Sequence, residues 1–263
     1  MNFRILLANR AYRSMKIIGI SSGKGGVGKS TVAANLAVAL ASKGLSIGLI
    51  DADFYGPSIP ILLGMGELQL NHEQRIIPCN RFGVKYVSIQ FFLQNPDDPV
   101  IWRGPMITKA LMQMLNDCVW DDVQLLIIDM PPGTGDIQLS LSQLASLAGV
   151  VLVTTPQKLS VSDVAKAGRM FRKVNVPILG IIENMTDTPE INLFGSDGST
   201  SLARDLDTEI LGAIPINREI AKNSDQGTPV CLTEHGKIFF TIAEKILKTL
   251  EKAQTTEVEV SQG

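Results

Sequence analysis

One run of nine residues, Gly23-Lys24-Gly25-Gly26-Val27-Gly28-Lys29-Ser30-Thr31, constrains this chain more than any other stretch. It fits the phosphate-loop pattern G-x-x-x-x-G-K-[ST], a pattern whose meaning depends on its flanks. Upstream, Lys16-Ile17-Ile18-Gly19-Ile20 is a short β-branched run of the kind that forms a buried strand. Downstream, Ser30 to Lys43 is rich in Ala, Val and Leu at helical spacing and stops at Gly44, a residue suited to a helix C-cap. Strand, glycine loop and helix therefore stand in the order that lets main-chain N–H groups close around phosphate oxygens at a helix N-terminus. In such a loop Lys29 reaches the β- and γ-phosphates of ATP, and the Ser30 hydroxyl holds Mg²⁺. Gly23, Lys24, Gly25, Gly26, Val27, Gly28, Lys29, Ser30 and Thr31 are the expected nucleotide contacts.

Two further strand ends carry acids. Leu49-Ile50-Asp51-Ala52-Asp53 places two carboxylates two residues apart, so that on an extended chain both point the same way. Asp51 is expected near Mg²⁺ and Asp53 is expected to orient the attacking water; the structural alternative is a pair of turn or helix caps. Leu125-Leu126-Ile127-Ile128-Asp129 is an apolar strand ending in an acid, the Walker B arrangement, with Asp129 a Mg²⁺ ligand through water. Met130-Pro131-Pro132-Gly133-Thr134-Gly135-Asp136 follows, stiff at its prolines and free at its glycines, as suits a loop that responds to the γ-phosphate. Asn184, at the end of the sixth strand-like run, can offer a donor and an acceptor to an adenine edge or serve as a buried structural amide. Lys24 duplicates a charge that Lys29 already supplies. It either sits in solvent or reaches a phosphate of another subunit.

At 263 residues, 45% hydrophobic and 19% charged, the chain is sized for one large α/β domain with a substantial core. A net charge of −2 offers no basic field for nucleic acid. The charge is uneven: no Asp or Glu precedes Asp51, and Arg4, Arg10, Arg13 and Lys16 crowd the start. Residues 1–15 are read as an N-terminal extension, 16–253 as the ATPase domain and 254–263 as a polar tail. No run approaches the roughly 18–20 apolar residues of a membrane span, so stable membrane insertion is not expected. The three cysteines, Cys79, Cys118 and Cys231, are far apart and form no C-x-x-C, which points to a reducing, cytoplasmic setting. An organelle matrix is the alternative if the Arg-bearing start is a targeting remnant.

Strand-like runs alternate with helical ones, which implies βαβ units. Strands are expected at Lys16–Ser21, Ser46–Asp51, Val84–Ile89, Gln124–Asp129, Val150–Thr154, Ile178–Glu183 and Ile210–Ala213. Helices are expected at Ser30–Lys43, Met106–Asn116, Ile137–Leu147, Ser160–Lys173, Thr200–Asp205 and Glu234–Ala253, the last with an apolar stripe of Ile238, Ile242, Ile246 and Leu250. The fold class is an α/β P-loop NTPase, a mostly parallel sheet with helices on both faces.

Residues 23–31 are similar to the deviant Walker A loop of the MinD/ParA/nitrogenase-reductase ATPases. Within that group the chain resembles the Mrp (ApbC-like) iron–sulfur cluster carriers. The resemblance rests on Asp51-Ala52-Asp53-Phe54-Tyr55-Gly56-Pro57-Ser58, Trp102-Arg103-Gly104-Pro105-Met106 and Asp129 to Asp136, with Glu183-Asn184-Met185, Phe194-Gly195 and Leu211-Gly212-Ala213-Ile214-Pro215 beyond. It spans about residues 16–250 and implies an Mg²⁺-dependent homodimeric ATPase with Lys24 crossing to the partner's nucleotide. It also implies work in iron–sulfur cluster carriage, with iron–sulfur apoproteins or a cysteine-bearing assembly protein as partners. Members of that family usually carry a Cys-x-x-Cys just after Glu-Asn-Met, two pairs bridging a [4Fe–4S] cluster across the dimer. Here the segment reads Thr186-Asp187-Thr188-Pro189-Glu190-Ile191-Asn192-Leu193, and the thiolates that a cluster requires are absent from it. The other class of function open to this group is a MinD- or ParA-like positioning switch on membrane or DNA. That needs a terminal amphipathic anchor or a basic surface.

Overall fold

The computed structural model describes residues 15–93, 102–188 and 198–261. In chain order the elements are β1 (Lys16–Ser22), α1 (Lys29–Ser42), β2 (Ile47–Asp51), α2 (Ile59–Leu63), β3 (Gln69–Leu70), β4 (Ile76–Ile77), β5 (Cys79–Arg81) and β6 (Val84–Ser88). They continue with α3 (Gly104–Met112), β7 (Leu125–Asp129), α4 (Asp136–Leu144), β8 (Gly149–Thr154), α5 (Lys158–Lys173), β9 (Ile178–Thr186), α6 (Gly198–Asp205), β10 (Ile210–Pro215), α7 (Arg218–Asp225) and α8 (Lys237–Ser261).

Eight strands form one sheet in the order β10-β9-β8-β1-β7-β2-β6-β5. Every pairing is parallel except β5 with β6. The central strands read as nearly continuous apolar runs because both faces are covered, as a parallel sheet requires. On one face Ile18, Ile20, Leu49 and Ile127 pack with α1 and with Phe239, Ile242, Ile246 and Leu250 of α8. On the other, Ile50, Leu126, Ile128 and Leu152 pack with Leu111 of α3, Leu141 of α4, Phe171 of α5 and Leu202 of α6. Helix α1 is buried almost all round, because α8 covers the side that faces away from the sheet. The stripe on α8 thus packs on α1 as well as on the sheet edge, where Gly212 of β10 leaves room for Ile242.

The seven expected strands are all present, within three residues at either end. The expected α1 ends at Ser42, with Gly44 at φ 89° closing it by a bond from its N–H to the Ala41 carbonyl. Where the sequence reading runs a single helix to Asn116, α3 ends at Met112 and passes into a π-helical turn, Gln113–Asp117. Helix α8 runs on to Ser261, beyond the boundary at 253 read from the sequence. Two helices were not expected. Helix α7 is capped by Asn217, whose side chain accepts from the Glu219 N–H at 2.8 Å. Helix α2 is only five residues long and is capped from a distance, as described next.

Candidate nucleotide site

The carboxyl ends of β1, β2 and β7 meet at one place, because β1 and β2 both flank β7. Asp51 and Asp129 are direct neighbours across the β2–β7 register, and Asp129 is also level with Ile20 of β1. Beyond these ends the chain turns through the glycine loop into α1. Gly26 and Gly28 both have φ 81°, in the left-handed region that a side chain rarely tolerates. A Cβ on Gly28 would lie 2.2 Å from Asn184 Nδ2, and one on Gly23 would lie 2.2 Å from the α5 backbone at Asp163. Both glycines are therefore demanded by packing. Helix α1 has no side-chain cap and no acid in its first turn, so its first N–H groups are left for an anion.

A cleft of about 430 Å³ opens over this loop. Lys24, Gly25, Gly26, Gly28, Lys29, Ser30, Thr31 and Asp53 line it, together with Tyr55, Ser58 and Pro132. Gly23 and Val27 stand behind the lining, Val27 being 1% exposed. The Lys29 ammonium lies 2.7 Å from Asp129 Oδ1, 3.5 Å from Asp53 Oδ2 and 3.2 Å from Ser30 Oγ. Burial opposes its charge, but Asp129 and Asp53 outweigh burial and hold Lys29 above its ordinary value. Burial pushes the Asp129 carboxyl up, with Lys29 pulling the other way. Asp129 Oδ2 is buried with no hydrogen-bond partner. A buried acceptor left open beside a hydroxyl suits a hydrated divalent cation, so Ser30 and Asp129 fit the Mg²⁺ expected from the sequence.

Two expected site residues take other roles. Asp51 was expected near Mg²⁺, but its carboxylate is fully engaged elsewhere. Oδ2 accepts from the N–H groups of Ser58 at 3.0 Å and Ile59 at 3.1 Å, and from Ser88 Oγ at 2.9 Å. Oδ1 accepts from the Asp53 N–H at 3.3 Å. Asp51 is thus the cap of α2 and the pin of the 52–58 loop, a capping role in place of a metal-binding one. Burial and then the Asp129 charge push its carboxyl up to about 7, against the donors that favour the ionised form. Asn184 was expected at an adenine edge. Its Nδ2 donates instead to the Val27 carbonyl at 2.8 Å, bracing the phosphate loop from β9. No short motif marks that contact, which joins residues 157 apart.

The cysteines do not converge. All three are free and buried, on β5, after the π-helical turn, and between α7 and α8. Burial pushes the thiols of Cys118 and Cys231 up to about 12, so neither offers a thiolate near neutral pH. Among the described residues no group of three His, Cys, Asp or Glu is placed to hold a metal ion. Glu190 and Phe194-Gly195, named in the sequence reading, lie outside the described residues.

Sheet order, glycine loop, and the lysine and two acids at adjacent strand ends define a P-loop NTPase. Residues 13–251 match the family described as ParA: NUBPL iron-transfer P-loop NTPase, and the chain belongs to that family. It is 47% identical over 247 residues to the iron-sulfur cluster carrier protein of Aquifex aeolicus, covering 89% of this chain and 68% of that one. Among solved structures it is similar to a nucleotide-binding protein of Archaeoglobus fulgidus in complex with ADP (TM-score 0.72, 37% identity, 86% of this chain and 92% of that one). It is also similar to the cell division ATPase MinD of Pyrococcus furiosus (TM-score 0.67, 25% identity, 89% of this chain and 98% of that one).

Proposed function

We propose that this protein binds and hydrolyses ATP and uses the cycle in iron–sulfur cluster carriage or assembly. The observation that carries the ATP half is the meeting of Lys29, Ser30, Asp53 and Asp129 around a glycine loop that leads into a helix N-terminus with no side-chain cap. In the reaction a water oxygen bonds to the γ-phosphorus and the bond to the β–γ bridging oxygen breaks, giving ADP and inorganic phosphate. Asp53, which lines the cleft, orients that water and receives its proton. Lys29 leaves the carboxylates for the β- and γ-phosphates, exchanging one set of anionic partners for another. Ser30 and Asp129 would hold Mg²⁺, which would supply charge neutralisation on the phosphates.

The cluster half rests on kinship with carriers, and it sets this chain apart from them at one point. With no Cys-x-x-Cys after Glu183-Asn184-Met185 and the remaining thiols buried, cluster ligands come from a cysteine-bearing partner. Anaerobic reconstitution with iron and sulfide tests this. A colourless chain that still cleaves ATP is the expected result, and a stoichiometric four-iron cluster on the chain alone would overturn it. The positioning-switch reading is less well supported. The apolar stripe of α8 that would anchor it to lipid is buried, with Ile242 and Ile246 at 0% and Leu250 at 2% exposure. No helix of the described residues is long and apolar enough to cross a membrane.

The active form proposed here is a homodimer in the cytoplasm, with Lys24 at the cleft mouth contacting the nucleotide of the partner. Lys24→Ala is then expected to remove only the part of the ATPase rate that rises with protein concentration. A wild-type rate per subunit that stays flat across the dimerisation range would count against a role in trans.

A further inference from the structure

We propose that Gln138 is a positioning residue for ATP hydrolysis, holding the loop between β7 and α4 by its side-chain amide; this rests on the nucleotide reading above. Gln138 lies in the first turn of α4 and is 1% exposed. Its Nε2 donates to the main-chain carbonyl of Pro131 at 2.5 Å. Its Oε1 is buried with no hydrogen-bond partner. For a core-facing helix position that is an expensive choice, because a methionine would fill similar space without stranding a carbonyl. A half-satisfied buried amide calls for an explanation other than packing. Here the donor half supplies one.

The loop that it holds, residues 130–135, starts directly after Asp129. Past Met130, Pro131 and Pro132 have no N–H, so these two residues cannot be tied through their own amides. The Pro131 carbonyl is the main-chain handle that Gln138 uses. Pro132 then lines the nucleotide cleft. Gly133 turns at φ 97° and donates its N–H to the Ser22 carbonyl at 2.9 Å, while the Ser22 hydroxyl bonds to the Lys24 carbonyl at 3.0 Å. Thr134, Gly135 and Asp136 are exposed, and a Cβ on Gly133 or Gly135 would meet nothing within 4 Å. Met130 is held by its N–H on the Ile20 carbonyl at 3.0 Å and Pro131 is buried; beyond them the loop is pinned on one side to α4 by Gln138 and on the other to the entrance of the phosphate loop by Ser22, and residues 134–136 are open to solvent. Releasing the Gln138 pin frees Pro132 beside the cleft and leaves the amides of residues 26–31 where they are. The effect falls on the geometry of attack and spares nucleotide binding.

Two substitutions separate this from a packing role. Gln138→Met keeps the volume and removes the donor; Gln138→Asn keeps the amide and shortens its reach by one methylene. For each, kcat is expected to fall about tenfold, the scale of one hydrogen bond. KM for ATP and the affinity for ADP are expected to stay within about twofold of wild type. Hydrogen exchange over residues 130–136 is expected to quicken in both variants. A Gln138→Met protein with wild-type kcat and unchanged exchange would overturn the role, as would kcat and ADP affinity falling together. Should either variant fold poorly, the other and the exchange measurement still decide. A wild-type chain that neither binds ADP nor cleaves ATP would sink the nucleotide reading and this role together. A wild-type ATPase unmoved by both substitutions would sink the role alone.

Discussion

Replacing Lys29 by alanine is expected to lower ATP turnover by about 10²–10³-fold, the size of losing one preorganised charge donor in a phosphoryl-transfer site. The substitution does a second thing that activity alone would hide. Lys29 is 5% exposed and is the cation facing Asp129, which is 0% exposed, and Asp53, which is 9% exposed. Removing one partner of a buried pair and leaving the other costs about 3–5 kcal/mol, because the stranded carboxylate is neither solvated nor neutralised. The nucleotide-free Lys29→Ala protein is therefore expected to unfold at a clearly lower urea midpoint, measured by circular dichroism. The deficit should shrink at acid pH, where Asp129 is protonated. Wild-type turnover in this variant would refute the site. Lost turnover with unchanged stability would refute the resting ion pair while leaving the phosphate role intact.

Asp51→Ala is expected to be the most damaging change at the rim of the site. It strands the N–H groups of Asp53, Ser58 and Ile59 together with the Ser88 hydroxyl. Each buried donor left unmet costs about 1–3 kcal/mol. Some will find water, so a net loss of about 3–5 kcal/mol is expected. The loop thus released carries Asp53, Tyr55, Gly56 and Ser58, all of which line the cleft, and nucleotide affinity should fall with stability. The pH dependence gives a sharper check. The Asp51 carboxyl stands at about 7 in the folded chain against an ordinary 3.8. A carboxyl raised by folding favours the native state fully below its ordinary value, and that contribution is lost as pH rises through the folded value. Asp51 in the wild type thus contributes a fall in stability between about pH 4 and pH 7, and Asp51→Ala should lack it. Urea midpoints at the two ends of that window measure the difference. The same slope in both proteins would assign the titration to another group.

The parts of this molecule that were legible in the sequence are those whose causes are local. A strand buried on both faces must be apolar along its length, so Leu125 to Ile128 announced β7, and the acid that ends it announced the edge of a site. The glycine loop showed itself because few other residues can take φ 81° at positions 26 and 28. What the sequence hid are contacts made between distant segments. Asp51 and Asp53 look equivalent on an extended chain, and only the return of the chain at Ser58 and Ile59 makes one a cap and leaves the other at the cleft. Asn184 meets Val27 because β9 lies two strands from β1 in the sheet, which no spacing along the chain reports. Gln138 sits in a helix whose apolar pattern gives no hint that one buried position is an amide with its donor turned to a proline carbonyl.

A crystal structure of the chain with ADP and Mg²⁺ tests most directly whether residues 23–31 grip the nucleotide. The diphosphate should lie on the main-chain amides of residues 26–31, with Mg²⁺ between Ser30 and the Asp129 side and with the Lys29 ammonium moved from Asp129 to the β-phosphate. A nucleotide seated away from this loop, or Lys29 still paired with Asp129 beneath a bound diphosphate, would contradict it.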